Sequence, residues 1–413
     1  MTSIRLAIAS DLHFAEPSGS NPSRPATAKA GTAGDPMHAL LELVKQDASC
    51  ADREFVADFL ICPGDVTNQA SAAGFQAGWS QLKSLKDALS AQHLLATTGN
   101  HEVHSRASDK DNQIGLSTQS LDPLAVIQQH ADYPCTCLTD EQRWVYWGRG
   151  YQIVEQPHVL FLIINTSHFH PTTRANEFER GRISDIALQA LKQDLATRVG
   201  ADKARAFVAV MHHHPIPHQA GTAPEENIEM QNGSQLIQLL ESTNVVWLVI
   251  HGHKHEGRII SAQGANNPPM VFAAASFGAM LDGVLATQTH QQFYILELEI
   301  CDQSIEPTAK AHVRAWHWTG TSWELARKYT HGLPDGCGYQ IPPFNIQPVL
   351  DSLVAKLAAE ERPYLKWEEA VERQPELGYL LPGKVKFLRE MMTSKSIKTV
   401  WDTEVWFPQE VAK

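Results

Sequence analysis

The chain has 413 residues, 43% of them hydrophobic, and carries 34 basic against 46 acidic side chains for a formal net charge of −12. That length and apolar content can bury a full core and suit one large domain with an appendage, or two domains. The acidic balance excludes a global positive field able to hold a nucleic-acid backbone and leaves only a local basic groove for that role.

The first apolar run, Ile4 to Ala9, is too short for a signal-peptide core, and no stretch approaches the roughly 20 apolar residues of a membrane helix. A soluble, cytoplasmic protein with no membrane partner is expected. The six cysteines (Cys50, Cys62, Cys135, Cys137, Cys301 and Cys337) form no C-x-x-C pair and read as free thiols in a reducing compartment.

Ile4 to Ala9 predicts a strand, with Asp11 and His13 just beyond its end. Two residues apart in an extended segment, their side chains leave on one face and can converge on an ion. Residues 15–35 then turn to Pro, Ser, Gly, Ala and Thr without apolar periodicity, which predicts a long loop, read either as a lid or substrate gate beside the first ligands or as a disordered segment. Met37, Leu40, Leu41 and Val44 follow the helical template. Phe55 to Cys62 predicts the second strand, and Gly64 permits the tight turn that aims Asp65 out of its end. Phe75, Trp79, Leu82, Leu85 and Leu89 line one face of a second helix. Leu94 to Ala96 leads to Gly99-Asn100-His101-Glu102, where a neutral oxygen donor sits beside an imidazole in a glycine-led turn.

Residues 103–143 are polar and irregular, with a short helix expected near 123–129, and they place His104 close behind that turn as a substrate-binding candidate. Trp144 to Trp147 and Tyr151 to Val154 predict the strands of a hairpin, and Val159 to Ile164 a strand buried on both faces. His168 and His170 follow with metal-ligand spacing but outside the main series, and read as substrate-side or structural groups. Ser184 caps a helix that buries Leu188, Leu191 and Leu195. Ala206 to Met211 ends in His212-His213-His214-Pro215; Val245 to Ile250 ends in His251-Gly252-His253-Lys254-His255, where strand alternation puts His253 and His255 on one side.

Strands at Ile259-Ile260, Val271 to Ala274, Phe293 to Ile300 and Ala311 to Trp318 are expected to complete a second sheet. Beyond about Leu325, the apolar positions Ile346, Val349, Leu350, Leu353, Val354 and Leu357 predict an amphipathic helix. Residues 326–413 read as a small, mainly helical C-terminal extension, a packing brace by default and otherwise a dimerisation or docking element.

Strands alternating with helices, with metal-capable residues at strand C-terminal ends, follow the layout of open α/β sheets. The blocks Asp11-x-His13, Gly64-Asp65, Gly99-Asn100-His101-Glu102, His213-His214-Pro215 and Gly252-His253-x-His255 together resemble the calcineurin-like metallophosphoesterase superfamily over about residues 1 to 325. In compact order and in its H-H-P block the chain looks most like the class III cyclic-nucleotide phosphodiesterase branch. The resemblance implies a four-layer α/β/β/α sandwich over residues 1–325 and two metal ions. It puts Asp11, His13 and His255 on one ion and Asn100, His213 and His253 on the other, with Asp65 bridging. It also turns His101 toward the substrate and leaves His212 and His214 in supporting roles.

Two divalent ions roughly 3.5 to 4 Å apart clamp a phosphate, lower the pKa of a bridging water and stabilise an in-line transition state. Mixed imidazole and oxygen donors favour divalent or mixed-valence transition metals, manganese, iron or zinc, over magnesium or calcium. His101 is the candidate to protonate the leaving oxygen, a contribution of about 10² to 10⁴ in rate. The expected function is hydrolysis of phosphodiester bonds, in nucleotides or other small diesters, by in-line attack of a metal-bridging hydroxide. A nuclease, a phosphomonoesterase or protein phosphatase, and a non-catalytic metal-binding module are the alternatives, and a homo-oligomer could form through the C-terminal extension.

Overall fold

Two sheets carry the chain. The first begins with three parallel strands, β1 (Ser3–Ile8), β2 (Phe59–Cys62) and β3 (His93–Ala96). The second takes β4 (Tyr151–Gln156), β5 (Val159–Ile164), β6 (Ala206–Val210), β7 (Trp247–His251), β8 (Arg258–Ser261) and β9 (Met270–Ala273), in the order β4-β5-β6-β7-β9-β8. The chain then returns to the first sheet with β10 (Gln292–Glu299), β11 (Ala309–Trp318), β12 (Trp323–Leu325) and β13 (Cys337–Ile341), giving the order β12-β11-β10-β1-β2-β3 with β13 also on β11. The computed structural model describes residues 3–15, 24–25, 34–103, 127–170, 180–218, 229–262, 264, 267–281, 285–327, 332–359, 362, 364–401 and 405–413. The 15–35 insertion, apart from Ala15, Arg24, Pro25, Gly34 and Asp35, lies outside the described residues. So do His104 and all but the last three positions, 127–129, of the helix expected near 123–129.

Side-chain alternation builds the layers. Leu6 and Ile8 of β1 and Phe59 and Ile61 of β2 point into a core between the sheets, where they meet Val159, Phe161 and Ile163 of β5. Their neighbours Ala7, Leu60 and Cys62 point the other way, onto helices α1 (Pro36–Asp47) and α2 (Ala72–Ala88) through Met37, Leu40, Val44, Phe75, Trp79 and Leu82. Leu160, Leu162 and Ile164 face outward on the second sheet. Beyond α3 (Asp140–Arg149), helices α4 (Asp185–Ala201) and α5 (Gly233–Glu241) cover them through Leu191, Leu195, Leu236 and Leu240. This is the expected α/β/β/α sandwich, and its all-apolar strands are buried on both faces because each has a sheet on one side and helices on the other. Each large aliphatic or aromatic side chain so buried contributes roughly 1.5–3 kcal/mol.

Capping residues start the helices. Asp35 accepts hydrogen bonds from the Met37 and His38 N–H groups with Pro36 in the first turn, and Ser71 and Ser184 cap α2 and α4 in the same way.

Two expectations are corrected. Trp144 to Trp147 is not a strand: it lies within α3, which Thr139 and Gln142 open with a capping box and Gly150 closes at φ 78°. A strand would put Trp144 and Tyr146 on one face, yet Trp144 is 68% exposed and Tyr146 fully buried, as helical spacing allows. The β4 hairpin partner is β5 instead. Strands β10 and β11 also join the first sheet, not the second: β10 lies antiparallel on β1 with Leu296 opposite Leu6. Periodicity reports which face a residue takes and leaves the neighbouring strand open.

Past residue 341, α6 (Ile346–Ala359), α7 (Trp367–Arg373) and α8 (Val385–Ser394) enclose a separate apolar cluster with a three-stranded sheet, β14 (Tyr364–Lys366), β15 (Lys398–Val400) and β16 (Glu410–Ala412). That sheet, built from three-residue strands, was not legible as alternation. Among the described residues no helix is long and apolar enough to cross a membrane.

Candidate metal centre

The metal-capable residues leave the C-terminal ends of β1, β2, β3, β6 and β7, all at one rim of the sandwich. Strand alternation does not aim them. Asp11, His13, Asp65, His253 and His255 each have φ between 51° and 76°, in the left-handed region. For a non-glycine residue that conformation costs on the order of 1–3 kcal/mol, and it persists only where the surroundings impose it. The extended geometry expected for Asp11/His13 and His253/His255 is thus replaced by successive left-handed turns that fold each pair back over its strand end. Two glycines allow the closest approaches. A Cβ on Gly99 would stand 2.1 Å from Asp65 Oδ1, and one on Gly252 2.4 Å from Asp11 Oδ2.

Backbone N–H groups pin the carboxylates. The His101 N–H donates to Asp65 Oδ1 (2.8 Å) and the His253 N–H to Asp11 Oδ1 (3.1 Å). Glu102 is buried behind them and accepts from the N–H groups of Asp65 (2.8 Å), Gly99 (2.6 Å) and Thr67 (3.1 Å), so one side chain ties the Asp65 turn to the Asn100 turn. Above it, the Tyr146 hydroxyl accepts from the Thr98 N–H (3.0 Å) and meets Thr98 Oγ1 (2.9 Å), while Tyr133 reaches the same threonine (3.1 Å).

On one side of Asp65 the structure brings together Asp11, His13 and His255: His255 Nε2 is 3.3 Å from Asp11 Oδ1, and His13 Nε2 is 3.6 Å from Asp65 Oδ2. On the other side stands His212. Its Nε2 lies 2.9 Å from Asn100 Oδ1 and 3.2 Å from Asp65 Oδ2, and its Nδ1 lies 2.9 Å from the Pro63 carbonyl oxygen. His253 Nδ1 is 3.2 Å from the same Asn100 oxygen. His213, expected as a ligand, turns Nδ1 to the Thr166 hydroxyl (2.8 Å). Its ligand atom falls within 4.8 Å of those of His212 and His253 but belongs to no such group with Asp65.

His101 packs edge-on against His13 with ring centroids 4.6 Å apart, and its Nδ1 accepts from the Gln69 N–H (3.4 Å). His170 is buried 5.8 Å from the His213 ring, whereas His168 packs by the Gly150 turn at the end of α3. Sequence reasoning put His212 in a supporting role only and gave no role of their own to Glu102, Thr166 and the two tyrosines. For His212 a signal existed: it is the first residue beyond the apolar run that ends in Val210-Met211.

Burial sets the charge states. It pushes His13 down to about 3 and His213 and His253 well below the usual imidazole range, leaving neutral rings. Burial also pushes Asp65 and Asp11 upward, but the surrounding imidazoles outweigh it and both stay below the carboxylate range. For His212 burial acts downward and the Asp65, Asp11 and Glu102 carboxylates outweigh it, to about 9, so a proton occupies the place a cation would take. Burial pushes Glu102 up to about 8, assisted by the Asp65 charge and opposed by its backbone donors.

The donor set fits a pair of transition-metal ions. His13 Nε2 and His213 Nε2 are buried with no hydrogen-bond partner, and the Asp11 and Asp65 carboxylates group with ring nitrogens of His13, His101, His212 and His255 within 4.8 Å.

Residues 4–257, more than half of the chain, match the sequence profile of the calcineurin-like phosphoesterases. No curated protein sequence matches. Among solved structures the chain is similar to a dimetal phosphatase from Danio rerio at 14% identity, covering 78% of this chain and 98% of that one with a TM-score of 0.44. It is also similar to the sulfate thiohydrolase SoxB of Thermus thermophilus at 12% identity, covering 86% of this chain and 66% of that one with a TM-score of 0.40.

Proposed function

The chain belongs to the calcineurin-like phosphoesterase family, and on that premise we propose that it hydrolyses phosphodiester bonds in nucleotides or other small diesters at a two-metal centre. The observation that carries this reading is the convergence of Asp11, His13, Asp65, Asn100, His212, His253 and His255 from five strand ends, five of them held in left-handed backbone. We assign Asp11, His13 and His255 to one ion, Asn100, His212 and His253 to the other, and Asp65 to both. His212 replaces His213 in that set because its Nε2 faces Asp65 and Asn100 while the Pro63 carbonyl holds its Nδ1 proton.

When bound, manganese, iron or zinc ions would supply the positive charge that polarises a phosphate and makes water acidic. The protein supplies the rest. Asp65, fixed by the His101 N–H and braced through Glu102, holds the two halves of the site in register. His101 keeps its ring proton on Nε2, because Nδ1 accepts from Gln69, and delivers that proton to the leaving oxygen. His13, stacked edge-on against it, limits how that ring turns. The net charge of −12 favours a small anionic diester over a polynucleotide. The segment past residue 341 acts as a brace, with Leu381 and Phe407 packed onto the core between the sheets.

The test is turnover of metal-analysed protein, with added Mn²⁺, on matched phosphomonoester, small diester, cyclic nucleotide and single-stranded DNA, using Asn100→Ala as the blank. Preference for the small diester or cyclic nucleotide, lost in the blank, supports the reading. Cleavage of DNA alone makes the protein a nuclease, preference for the monoester a phosphatase, and silence on all four with two metals bound a non-catalytic module.

A further inference from the structure

Cys135 and Cys137 sit in a short extended segment laid along β3, the edge strand that feeds the Gly99-Asn100-His101-Glu102 turn. The Ala96 N–H donates to the Pro134 carbonyl (2.7 Å), the Thr136 N–H to the Leu94 carbonyl (3.0 Å), and the Leu94 N–H to Thr136 Oγ1 (3.0 Å). One residue before this clamp, Tyr133 reaches Thr98. The backbone is therefore fixed on both sides of Cys135 and directly before Cys137. Their sulfurs lie 2.9 Å apart, against about 2.05 Å in a disulfide. The thiols of Cys50, Cys62 and Cys301 instead point at backbone carbonyl oxygens. Cys135 is buried in the core between the sheets, and Cys137 is partly exposed.

We propose that Cys135 and Cys137 form a reversible dithiol–disulfide couple that exchanges with low-molecular-weight disulfides and whose state is passed along β3 to the metal-centre turn. The Cys137 thiolate attacks one sulfur of the small disulfide, forming a mixed disulfide and releasing one small thiol. Cys135 then gives up its proton and attacks the Cys137 sulfur, releasing the second. Two protein thiols are oxidised by two electrons, the small disulfide is reduced to two thiols, and the two protons leave with them. The order follows from the surroundings. The Cys135 hydrogen bond stabilises the Cys137 thiolate and holds that thiol below its usual range, whereas burial pushes Cys135 well above it. Exposure also admits the attacker at Cys137 alone of the two.

The turnover half of this proposal rests on the phosphodiesterase reading; the thiol half does not, so the two can fail separately. The reduced full-length chain is equilibrated across a glutathione redox series, its free thiols are alkylated, and its peptides are weighed. Support is joint loss of alkylation at Cys135 and Cys137, with the connecting peptide lighter by two hydrogens, reversed by dithiothreitol. In Cys135→Ser a glutathione adduct on Cys137 should persist, and in Cys137→Ser Cys135 should stay reduced. Both thiols alkylating independently at a potential where the exposed Cys50 already carries glutathione would overturn the couple. With Mn²⁺ and a small diester, the oxidised form should turn over about threefold or more slowly, the size expected of a sub-ångström shift of a ligand turn, and recover on reduction. Full disulfide formation with unchanged turnover would overturn the transmission along β3.

Discussion

His212 Nε2 stands 2.9 Å from Asn100 Oδ1 while Nδ1 of the same ring lies 2.9 Å from the Pro63 carbonyl oxygen. A carbonyl only accepts, so Nδ1 carries a proton and Nε2 is the nitrogen left to face a cation. His212→Ala should therefore lower metal content from two ions toward one and cut turnover by at least about 10²-fold, the upper range for losing even a supporting group. His213→Ala should keep both ions. Metal analysis of the two purified variants decides, and one ion lost from His213→Ala with two kept in His212→Ala would restore the assignment made from the H-H-P block.

Glu102 gathers three backbone N–H groups from two ligand turns. Glu102→Gln places an amide N–H where one of those donors needs an oxygen, leaving a buried group unpaired at about 1–3 kcal/mol. Mn²⁺ titration should show affinity weakened about 10- to 100-fold, the range for groups that orient ligands, together with a lower melting temperature. Unchanged affinity with a lowered melting temperature would make Glu102 a fold residue only.

His101 is placed to serve the leaving oxygen, not to hold a metal. In His101→Asn both ions should remain, and turnover of diesters with alkoxide leaving groups should fall about 10² to 10⁴-fold. An aryl diester, whose leaving oxygen needs no proton, should lose far less. Equal losses on both substrates would remove the proton-donor role.

The Tyr146 hydroxyl accepts from the Thr98 N–H and meets two threonine hydroxyls in a buried network at the end of β3. Tyr146→Phe leaves that N–H without its acceptor, a loss of about 1–3 kcal/mol. Denaturant unfolding should show the destabilisation with an unchanged slope, and kcat should drop more than KM rises because the Asn100 turn shifts. A stability loss without any change in kcat would confine the network to folding.

The metal blocks were legible because each follows the end of an apolar strand, and layers could be read from strands such as Val159–Ile164 that are apolar on both faces. Three things were not. Neighbouring rings in His212-His213-His214 differ in what their nitrogens face, which one-dimensional spacing does not carry. The left-handed turns at Asp11 and His253 override the alternation used to aim them. And Trp144 to Trp147 has strand-like composition, but the Thr139 cap and Gly150 close a helix around it. In each case the deciding partner is a backbone group remote in sequence or a cap just outside the window.

Asp132 offers a pH test away from the metal ligands. It accepts from Trp79 Nε1 (2.8 Å) and Lys83 Nζ (2.9 Å), anchoring the segment that presents Tyr133 to Thr98. Burial pushes its carboxyl up, but those two hydrogen bonds and the Lys83 charge outweigh it and hold it below the usual range. A folded pKa below the unfolded one means the contribution is complete above the unfolded value and disappears as pH falls through the folded value. With its side chain 35% exposed, solvent screening keeps the contribution small, about 0.5–1 kcal/mol at neutral pH. Asp132→Asn should thus unfold at lower denaturant than the parent at neutral pH. The two midpoints should converge as the pH is lowered toward and below the ordinary aspartate range, where the parent carboxyl is protonated too. A gap that stays constant over that range would mean the side chain stabilises through shape and neutral hydrogen bonding alone.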